Sequence, residues 1–364
     1  MLEAEKLDAV LMNGRHNFAW LTGGSSNAID ISRDGGAAGI MVVRDGRRFL
    51  LANNIEQERF LNEVLSAKVF EPLEMRWQDE KASAEAVVDL ARSVLPAGAS
   101  IASDLPIAPS VRLVEPLISR CRYQLTNEEI VRFGRLGQDA GKALGKVASE
   151  IVPGESEQDI AQKVRIRLSE LGVAAVVTLV GADERIEKYR HPVPTSNVWR
   201  NTLLIAVCAR RNGLIVSLTR IVCAVKVSSE LKRRTEAAAV VNASLYAATE
   251  PGTSAASLYR AAANAYAAQG FADEIDKHHQ GGACGYRTRD WTAHPANNET
   301  VKLNQAFAWN PSITGTKVEE TGIIGKSGFE TVTGTKGFPQ IGVTINGQTY
   351  FSPGILLLSK GATA

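Results

Sequence analysis

Three observations predict that this chain is an α+β protein of two domains. The first is its length of 364 residues, because single hydrophobic cores stop growing at roughly 250–300 residues. The second is an N-terminal third in which short β-type runs alternate with helical stretches, which predicts a smaller α/β domain over residues 1–122. The third is a remainder in which helix pairs are separated by β-rich segments, which predicts helices laid against a curved antiparallel sheet over residues 123–364.

In the first domain, two segments predict strands and two predict helices. The segments LDAVLMNG and GIMVVRDGRRFLLANN carry apolar β-formers, and the second contains a DG turn typical of a β-hairpin. The segments EQERFLNEVL and SAEAVVDLARSVLP have apolar residues spaced by three and four, which is the helical period. We therefore expect a mixed sheet with helices packed against it.

The second domain is predicted to begin with two capped helices. Thr126, followed three residues later by Glu129, is a capping-box pattern for a long helix, and the domain boundary falls just before it. Ser156 is the expected N-cap of a second helix that ends before Gly172. Further β-rich segments, two more helices and a β-rich end follow: VAAVVTLVG, NTLLIAVCARRNGLIVSLTRIVCAV, SSELKRRTEAAAVVNASLYAATEPG and TSAASLYRAAANAYAAQG.

Composition and charge exclude several classes of protein. Hydrophobic residues make up 45% and charged residues 22% of the chain, which is ordinary for a globular protein. The 41 Lys and Arg residues are balanced by 39 Asp and Glu residues and are scattered, which argues against a nucleic-acid partner. No window approaches the roughly 18 apolar residues of a membrane span, and the first residues lack the apolar core of a signal peptide. We expect a cytoplasmic protein without a membrane partner.

The four cysteines give no indication of a metal or redox site. Cys121, Cys208, Cys223 and Cys284 lie far apart along the chain, and no CxxC pair occurs. This spacing predicts reduced, mostly buried thiols.

Six segments, in a fixed order, resemble those of the creatinase/prolidase/aminopeptidase P family. Each match alone is weak, but their order from Asn17 to Thr333 makes the resemblance specific. The resemblance implies a C-terminal pita-bread domain, in which a curved antiparallel sheet is covered by helices, preceded by a smaller creatinase-type α/β domain. The segments are HNFAWLTGG, EIVPGESEQDIAQKV, AVCARRNGLIVSLTRIV, HHQGGACGYRTRD, AWNPSI and KVEETGIIGKSGFETVT.

The resemblance also implies that a dinuclear metal site has been lost. Metal-dependent members hold two divalent ions with two Asp, one His and two Glu, and the ions activate a water. Matched one by one, these five ligand positions hold Ala206, Ser217, Gly282, Asn310 and Glu319. Only Glu319 keeps a metal-binding side chain, since hard or borderline cations need several anionic or imidazole donors. No other cluster shows ligand spacing along the chain. We therefore predict no metal and no other cofactor.

Three residues are candidate catalytic groups. The resemblance places His191 at the histidine that metal-free creatinase uses as its acid/base, and His278 at a substrate histidine four residues before the lost metal ligand. An imidazole with a pKa of about 6.5 can take and return a proton near neutral pH. Glu319, without a metal, can orient a water or pair with an imidazole. The alternative is that these histidines are only packing groups of a degenerate pocket.

Six further residues are candidate substrate-binding groups. Arg289 stands where the resemblance to creatinase places an arginine, and its planar fork of donors suits a carboxylate or phosphate, although it could also be an ordinary salt-bridged arginine. The aromatic candidates are, as a class, more often core residues. The other five candidates are Asn310, Ser217, His279, Trp291 and Tyr189.

The leading functional hypothesis is a metal-independent, creatinase-type hydrolase that uses histidine acid/base chemistry on a small C–N-containing metabolite, either neutral or carrying a carboxylate. Elimination or isomerisation in a biosynthetic step is a variant of it. The alternative from another class is a catalytically silent pita-bread module that binds a peptide or small molecule, as in a histone chaperone. A metal-dependent Xaa-Pro dipeptidase is disfavoured because four of the five ligands are missing. The resemblance also implies a homodimer.

Overall fold

The computed structural model describes residues 1–66 and 68–358 and divides the chain into two compact units. The units are Met1–Arg122 and Tyr123–Ala364. Each unit contains its own clusters of buried apolar side chains. Among the described residues, none of the helices combines the length and the apolar character that a bilayer-spanning segment requires.

The N-terminal unit is a six-stranded mixed sheet with short helices. The elements are β1 (Ala9–Gly14), α1 (Arg15–Leu21), β2 (Gly35–Val43), β3 (Arg48–Asn53), α2 (Gln57–Arg59), β4 (Glu71–Met75), α3 (Trp77–Ala82), α4 (Ala86–Arg92), β5 (Ile101–Ser103), β6 (Arg112–Leu113) and α5 (Glu115–Cys121). The strands lie in the order β4-β3-β2-β1-β5-β6. The predicted hairpin is confirmed, since β2 and β3 pair antiparallel on either side of the DG turn. The helix predicted over EQERFLNEVL is only partly regular, because α2 continues as a π-helix at Phe60–Val64.

The C-terminal unit is an α+β domain with five helices and thirteen strands among its described residues. A short 3₁₀ turn lies at Ala272–Asp276. The elements are α6 (Asn127–Glu150), α7 (Glu157–Ser169), β7 (Ala174–Ala182), α8 (Arg185–Lys188), β8 (Thr202–Arg211), β9 (Leu214–Cys223), α9 (Ser229–Ala248), α10 (Ala255–Ala268), β10 (Gly281–Cys284), β11 (Trp291–Thr292), β12 (Ala306–Trp309), β13 (Ser312–Ile313), β14 (Thr316–Lys317), β15 (Glu320–Gly325), β16 (Gly328–Thr331), β17 (Gln340–Ile345), β18 (Gln348–Pro353) and β19 (Ile355–Leu357).

Both predicted helix starts are confirmed. The Thr126 hydroxyl accepts a hydrogen bond from the Glu129 N–H, and the Glu129 carboxylate accepts one from the Thr126 N–H. Ser156 and Asp159 form the same reciprocal pair at the start of α7. Each box satisfies two backbone donors that the first helical turn leaves unpaired.

Two sheets position the candidate site. The strands of one lie in the order β19-β9-β8-β7 and those of the other in the order β11-β10-β12-β15-β16; all pairs are antiparallel except β19 with β9. Hydrogen bonds link the two sheets, because the Thr219 N–H donates to the Glu319 carbonyl at 3.1 Å and the Ser217 N–H donates to the Thr321 hydroxyl at 2.8 Å. Glu319 is therefore held beside β9. With α9 and α10 packed on the second sheet, this is the pita-bread architecture that the resemblance implied.

The four cysteines are free thiols. Cys223 and Cys284 are buried, Cys208 is half-buried and Cys121 is exposed. The prediction of mostly buried thiols thus holds for two of the four.

Candidate functional site

A cavity of about 160 Å³ opens in the C-terminal unit. A cavity of about 150 Å³ holds one benzene molecule, so a space of this size suits a small chemical group. Strands β7 and β8 form the apolar wall, and the chain around β14 contributes charged groups. The lining residues are Val177, Leu179, His191, Ala206, Val207, Cys208, His279, Thr288, Arg289, Asn310, Lys317 and Glu319.

The fold brings most of the predicted site residues together. Five of the nine line the cavity: His191, His279, Arg289, Asn310 and Glu319. Two more contact the lining residues. His278 bonds to His191, and Ser217 lies 3.3 Å from the sulfur of Cys208 and 3.5 Å from Arg289 Nη1.

Trp291 and Tyr189 lie elsewhere. Trp291 is only 6% exposed and packs edge-to-face on Phe307 in the core between the helices and the second sheet. Tyr189 is 52% exposed, and the guanidinium of Arg185 lies 5.4 Å from the centre of its ring. Neither aromatic lines the cavity. Sequence position alone could not separate a core aromatic from a cavity wall.

Three imidazoles meet at the cavity. His191 Nε2 and His278 Nε2 are 3.1 Å apart, so one nitrogen carries the shared hydrogen and the other accepts it. The rings of His278 and His279 stack with their centres 4.4 Å apart. His191 and His279 are exposed and His278 is half-buried. Nδ1 of His278 is buried without a hydrogen-bond partner among the described residues.

Desolvation and nearby cations keep these imidazoles neutral. Loss of solvent, followed by the charge of Lys317, lowers the pKa of His191, and Glu319 offsets part of this effect. The same two causes lower the pKa of His278 to about 2. Loss of solvent and the charge of Arg289 lower the pKa of His279 to about 4. At neutral pH the cluster therefore offers proton acceptors.

A buried ion pair that the sequence interpretation missed lies beside the imidazoles. Lys317 Nζ is 3.0 Å from Glu319 Oε2, and the two side chains are 7% and 5% exposed. Thr219 donates to the same carboxylate oxygen at 2.5 Å, and Arg289 Nη2 is 3.7 Å from Oε1. Burial raises the pKa of Glu319, but the charges of Lys317 and Arg289 outweigh it, so the net pKa is lowered. The signal was present in the sequence, since residues two apart on an extended chain share a face.

Two polar atoms at the cavity lack partners among the described residues. Asn310 is 2% exposed and its Oδ1 is unpaired. Nε of Arg289 is also buried and unpaired, although Nη1 donates to the carbonyl of Thr288 at 2.6 Å. Buried polar atoms are nearly always hydrogen-bonded, because leaving one unpaired costs free energy. Asn310 and Arg289, which line the cavity, therefore each hold a buried polar atom whose hydrogen-bonding capacity the described residues leave unmet.

The residues present do not fit the dinuclear metal centre of metal-dependent relatives. At the position of the lost histidine, a Cβ on Gly282 would lie 2.1 Å from the carbonyl oxygen of Trp291. The backbone of β11 thus occupies the room that a side chain there needs. Ala206 provides no donor atom, and the retained Glu319 is already bound to Lys317 and Thr219.

The histidine cluster has the donor set for a single transition-metal ion. Ring nitrogens of His191, His278 and His279 all lie within 4.8 Å of one another, and three imidazoles with an open fourth position are a known zinc donor set. This corrects the expectation that no other cluster shows ligand spacing. Linear spacing could not reveal it, because His191 stands 87 residues before His278.

Architecture and cavity together define a pita-bread protein with a small, charged cleft. The sequence profile of metallopeptidase family M24 matches residues 133–344, more than half of the chain, and the protein belongs to this family. Its structural neighbours include prolidases and Xaa-Pro peptidases, which are hydrolases. A search among curated proteins finds no significant sequence match.

Three solved structures illustrate how far the fold is shared. Prolidase from Pyrococcus furiosus superposes with a TM-score of 0.76 at 18% identity, covering 92% of this chain and 98% of that one. Xaa-Pro dipeptidase from Bacillus anthracis gives 0.72 at 14% identity, covering 98% and 97%. The N-terminal domain of the FACT complex subunit SPT16 from Cicer arietinum gives 0.69 at 14% identity, covering 91% of both chains. At these identities the likeness concerns the fold alone.

Proposed function

We propose that the protein is a metal-independent hydrolase that cleaves a C–N bond in a small carboxylated molecule, with an imidazole carrying the proton. The observation that carries this proposal is the 3.1 Å contact between His191 and His278 at a cavity in which Glu319 is bound to Lys317. Without a Lewis acid, water must be activated by a base, and a neutral imidazole can take up a proton and return it.

The proton chemistry follows from the charge state of the imidazoles. A neutral His191 takes a proton from the attacking water and returns it to the leaving nitrogen. His278 shares a hydrogen with His191 and thereby fixes which nitrogen of His191 is free to accept. Glu319 pairs with Lys317 and Arg289 and thereby fixes their positions.

An anionic substrate is supported by the balance of charge in the cavity. Two cations, Lys317 and Arg289, face one carboxylate, Glu319, and the imidazoles are neutral. The excess positive charge favours a negatively charged ligand. The cavity volume of about 160 Å³ favours a small one.

A second candidate is a hydrolase with one transition-metal ion on the three histidines, supported by their mutual spacing within 4.8 Å. Elemental analysis of the purified protein, together with assays in a chelator, distinguishes the two. We expect no stoichiometric metal and no effect of the chelator. One equivalent of zinc that is lost in both His191→Ala and His279→Ala would replace our proposal with this one.

The reaction itself is tested by a substrate screen. Thermal-shift measurements with small N-acyl amino acids, ureido acids and amidines identify ligands, and NMR in ¹⁸O-enriched water follows their fate. Product that contains ¹⁸O supports hydrolysis, and product without it would indicate elimination or isomerisation. Tight binding without any product would favour the silent binding module.

We also propose that the protein is a homodimer. Light scattering at several concentrations tests this. We expect twice the mass of 39.1 kDa, and a strict monomer throughout the concentration range would contradict the proposal.

A further inference from the structure

Lys317 is a buried cation with unused hydrogen-bond donors. An ammonium group has three N–H donors and no acceptor. Among the described residues, its one ion-pair partner is Glu319, 3.0 Å away. Lys317 lines the cavity, and its side chain is only 7% exposed. Because water has little access, the remaining donors need acceptors that a ligand can supply.

Asn310 presents the complementary group. Asn310 lines the same cavity, and its Oδ1 is buried without a partner among the described residues. A ligand with a carbonyl oxygen for Lys317 and an N–H for Asn310 would satisfy both. An amide or ureide, C(=O)–N–H, has this pattern.

We propose that Lys317 supplies the positive charge that metal ions supply in the metal-dependent relatives, by donating a hydrogen bond to the carbonyl oxygen of the scissile bond. This inference rests on the proposed function. Glu319 is then a positioning residue, which together with Thr219 holds the ammonium in place. Removing one preorganised donor to an oxyanion reduces kcat by about 10²- to 10³-fold in enzymes that use such donors.

The chemical step needs no further reactant. Water oxygen bonds to the carbonyl carbon, the C=O electron pair moves to oxygen, and the water proton moves to His191. Lys317 binds the oxyanion and keeps its own protons. The electron pair then re-forms C=O, the C–N bond breaks with its pair on nitrogen, and that nitrogen takes the proton from His191.

Arg289 is less suited to this role. Its Nη1 already donates to the Thr288 carbonyl at 2.6 Å, and its Nη2 lies 3.7 Å from Glu319. A guanidinium held at two points is a rigid fork that matches a carboxylate. Lys317 thus binds the reacting carbonyl of the ligand, and Arg289 binds its carboxylate.

The experiment measures binding, so it does not depend on turnover. Methylphosphonate serves as a small tetrahedral anion that mimics the oxyanion, and acetamide serves as its neutral counterpart. Affinities are measured by calorimetry and by ³¹P NMR, in the presence of a chelator, for the wild type, Lys317→Met and Lys317→Arg. Lys302→Met, which removes an exposed lysine, controls for loss of charge.

We expect Lys317→Met to bind methylphosphonate at least tenfold more weakly than the wild type, Lys317→Arg to retain part of the affinity, and Lys302→Met to match the wild type. Thermal unfolding confirms that the variants are folded, and Lys317→Arg carries the test if Lys317→Met does not fold. Equal affinity of the wild type and Lys317→Met for methylphosphonate would overturn the inference. If Lys317→Met does not fold, a change in the affinity of Lys317→Arg no larger than that of Lys302→Met would overturn it. If anion binding depends on Lys317 but no substrate is ever hydrolysed, the proposed function fails and the anion site stands.

Discussion

Two clusters of polar groups, one in each unit, are built from similar residues but differ in how their carboxylates are paired. In the N-terminal unit, Asp104 accepts hydrogen bonds from the backbone N–H groups of Asn13 and Gly14 and from Asn17. Glu115 accepts from His16, Asn17 and Arg122. Both oxygens of each carboxylate are therefore satisfied within the unit.

The C-terminal cluster surrounds a cavity of about 160 Å³, and its carboxylate, Glu319, is paired with Lys317 and Arg289. His278 Nδ1, Arg289 Nε and Asn310 Oδ1 are buried without partners among the described residues, but so is Asn13 Oδ1 beside the N-terminal cluster. The cavity, and not the number of unpaired atoms, is therefore the reason to assign a binding role to the C-terminal cluster. The N-terminal carboxylates, bonded within their own unit, favour a structural role, although both groups of residues have metal-ligating donors within 4.8 Å.

The largest expected effect is on catalytic activity, which should depend on the C-terminal cluster and not on the N-terminal one. His191→Ala should reduce kcat/KM on the identified substrate by about 10²- to 10⁴-fold, the usual contribution of a general acid/base, and leave the unfolding midpoint close to that of the wild type. His16→Ala, in the N-terminal cluster, should lower the unfolding midpoint and leave kcat/KM close to that of the wild type. Steady-state kinetics and chemical denaturation measure both. Full activity of His191→Ala would contradict the proposed mechanism.

The next effect concerns stability in the N-terminal unit. The side chain of Arg122 is fully buried and pairs with Glu115 at 2.9 Å, so Glu115→Ala removes the carboxylate from a buried ion pair. We expect the free energy of unfolding to fall by about 3–5 kcal/mol, measured by urea denaturation. Glu230→Ala, which removes an exposed carboxylate paired with Arg233, is the matched control and should change little. Equal effects would show that the N-terminal network is not structural.

A smaller effect tests the closure of the old metal site. Gly282→Ala places a Cβ against the Trp291 carbonyl, 2.1 Å away, and should lower the free energy of unfolding by about 1–3 kcal/mol. Gly285→Ala, where the nearest atom is 3.6 Å away, is the control. For the same steric reason, Gly282→His should bind no stoichiometric metal. A stable Gly282→His variant that binds metal would mean that the site can reopen.

The smallest expected effect is in the pH dependence of stability. The pKa of His278 is lowered to about 2, against about 6.5 in an unfolded chain. As pH falls below about 6.5 the unfolded state binds the proton first, so the free energy of unfolding decreases. Wild type should therefore lose more stability between pH 7 and pH 5 than His278→Gln does, as measured by urea midpoints. Burial raises the pKa of Glu320 to about 7. Because Glu320 is present in both proteins, its contribution cancels in the comparison.

The N-terminal cluster should respond in a different pH window. Burial raises the pKa of Glu115, but the hydrogen bond from His16 and the charge of Arg122 outweigh it and lower the pKa to about 2. Its contribution is complete above the unfolded value of about 4.3 and is lost as pH falls towards 2. The wild type could instead lose stability only below pH 4.3 and lose no more than His278→Gln does between pH 7 and pH 5. That result would contradict the assignment of the cleft histidines as neutral.

The sequence by itself determined the features that depend on neighbouring residues. Both capping boxes are hydrogen bonds between residues three apart, and the DG hairpin is a local turn, so their patterns are visible in the chain. The ordered motifs determined the pita-bread fold and the membership of family M24. They also marked His191, Asn310 and Glu319, which do line one cavity.

Only the tertiary structure decided which of these groups meet and what surrounds them. His191 reaches His278 across 87 residues, and β11 fills the space beside Gly282. Trp291 packs in the core, whereas Lys317 faces the cavity. Burial, charge pairing and unsatisfied donors are properties of groups brought together from distant strands. A single sequence lists those groups, but their distances, and therefore their energies, exist only once the sheets have formed.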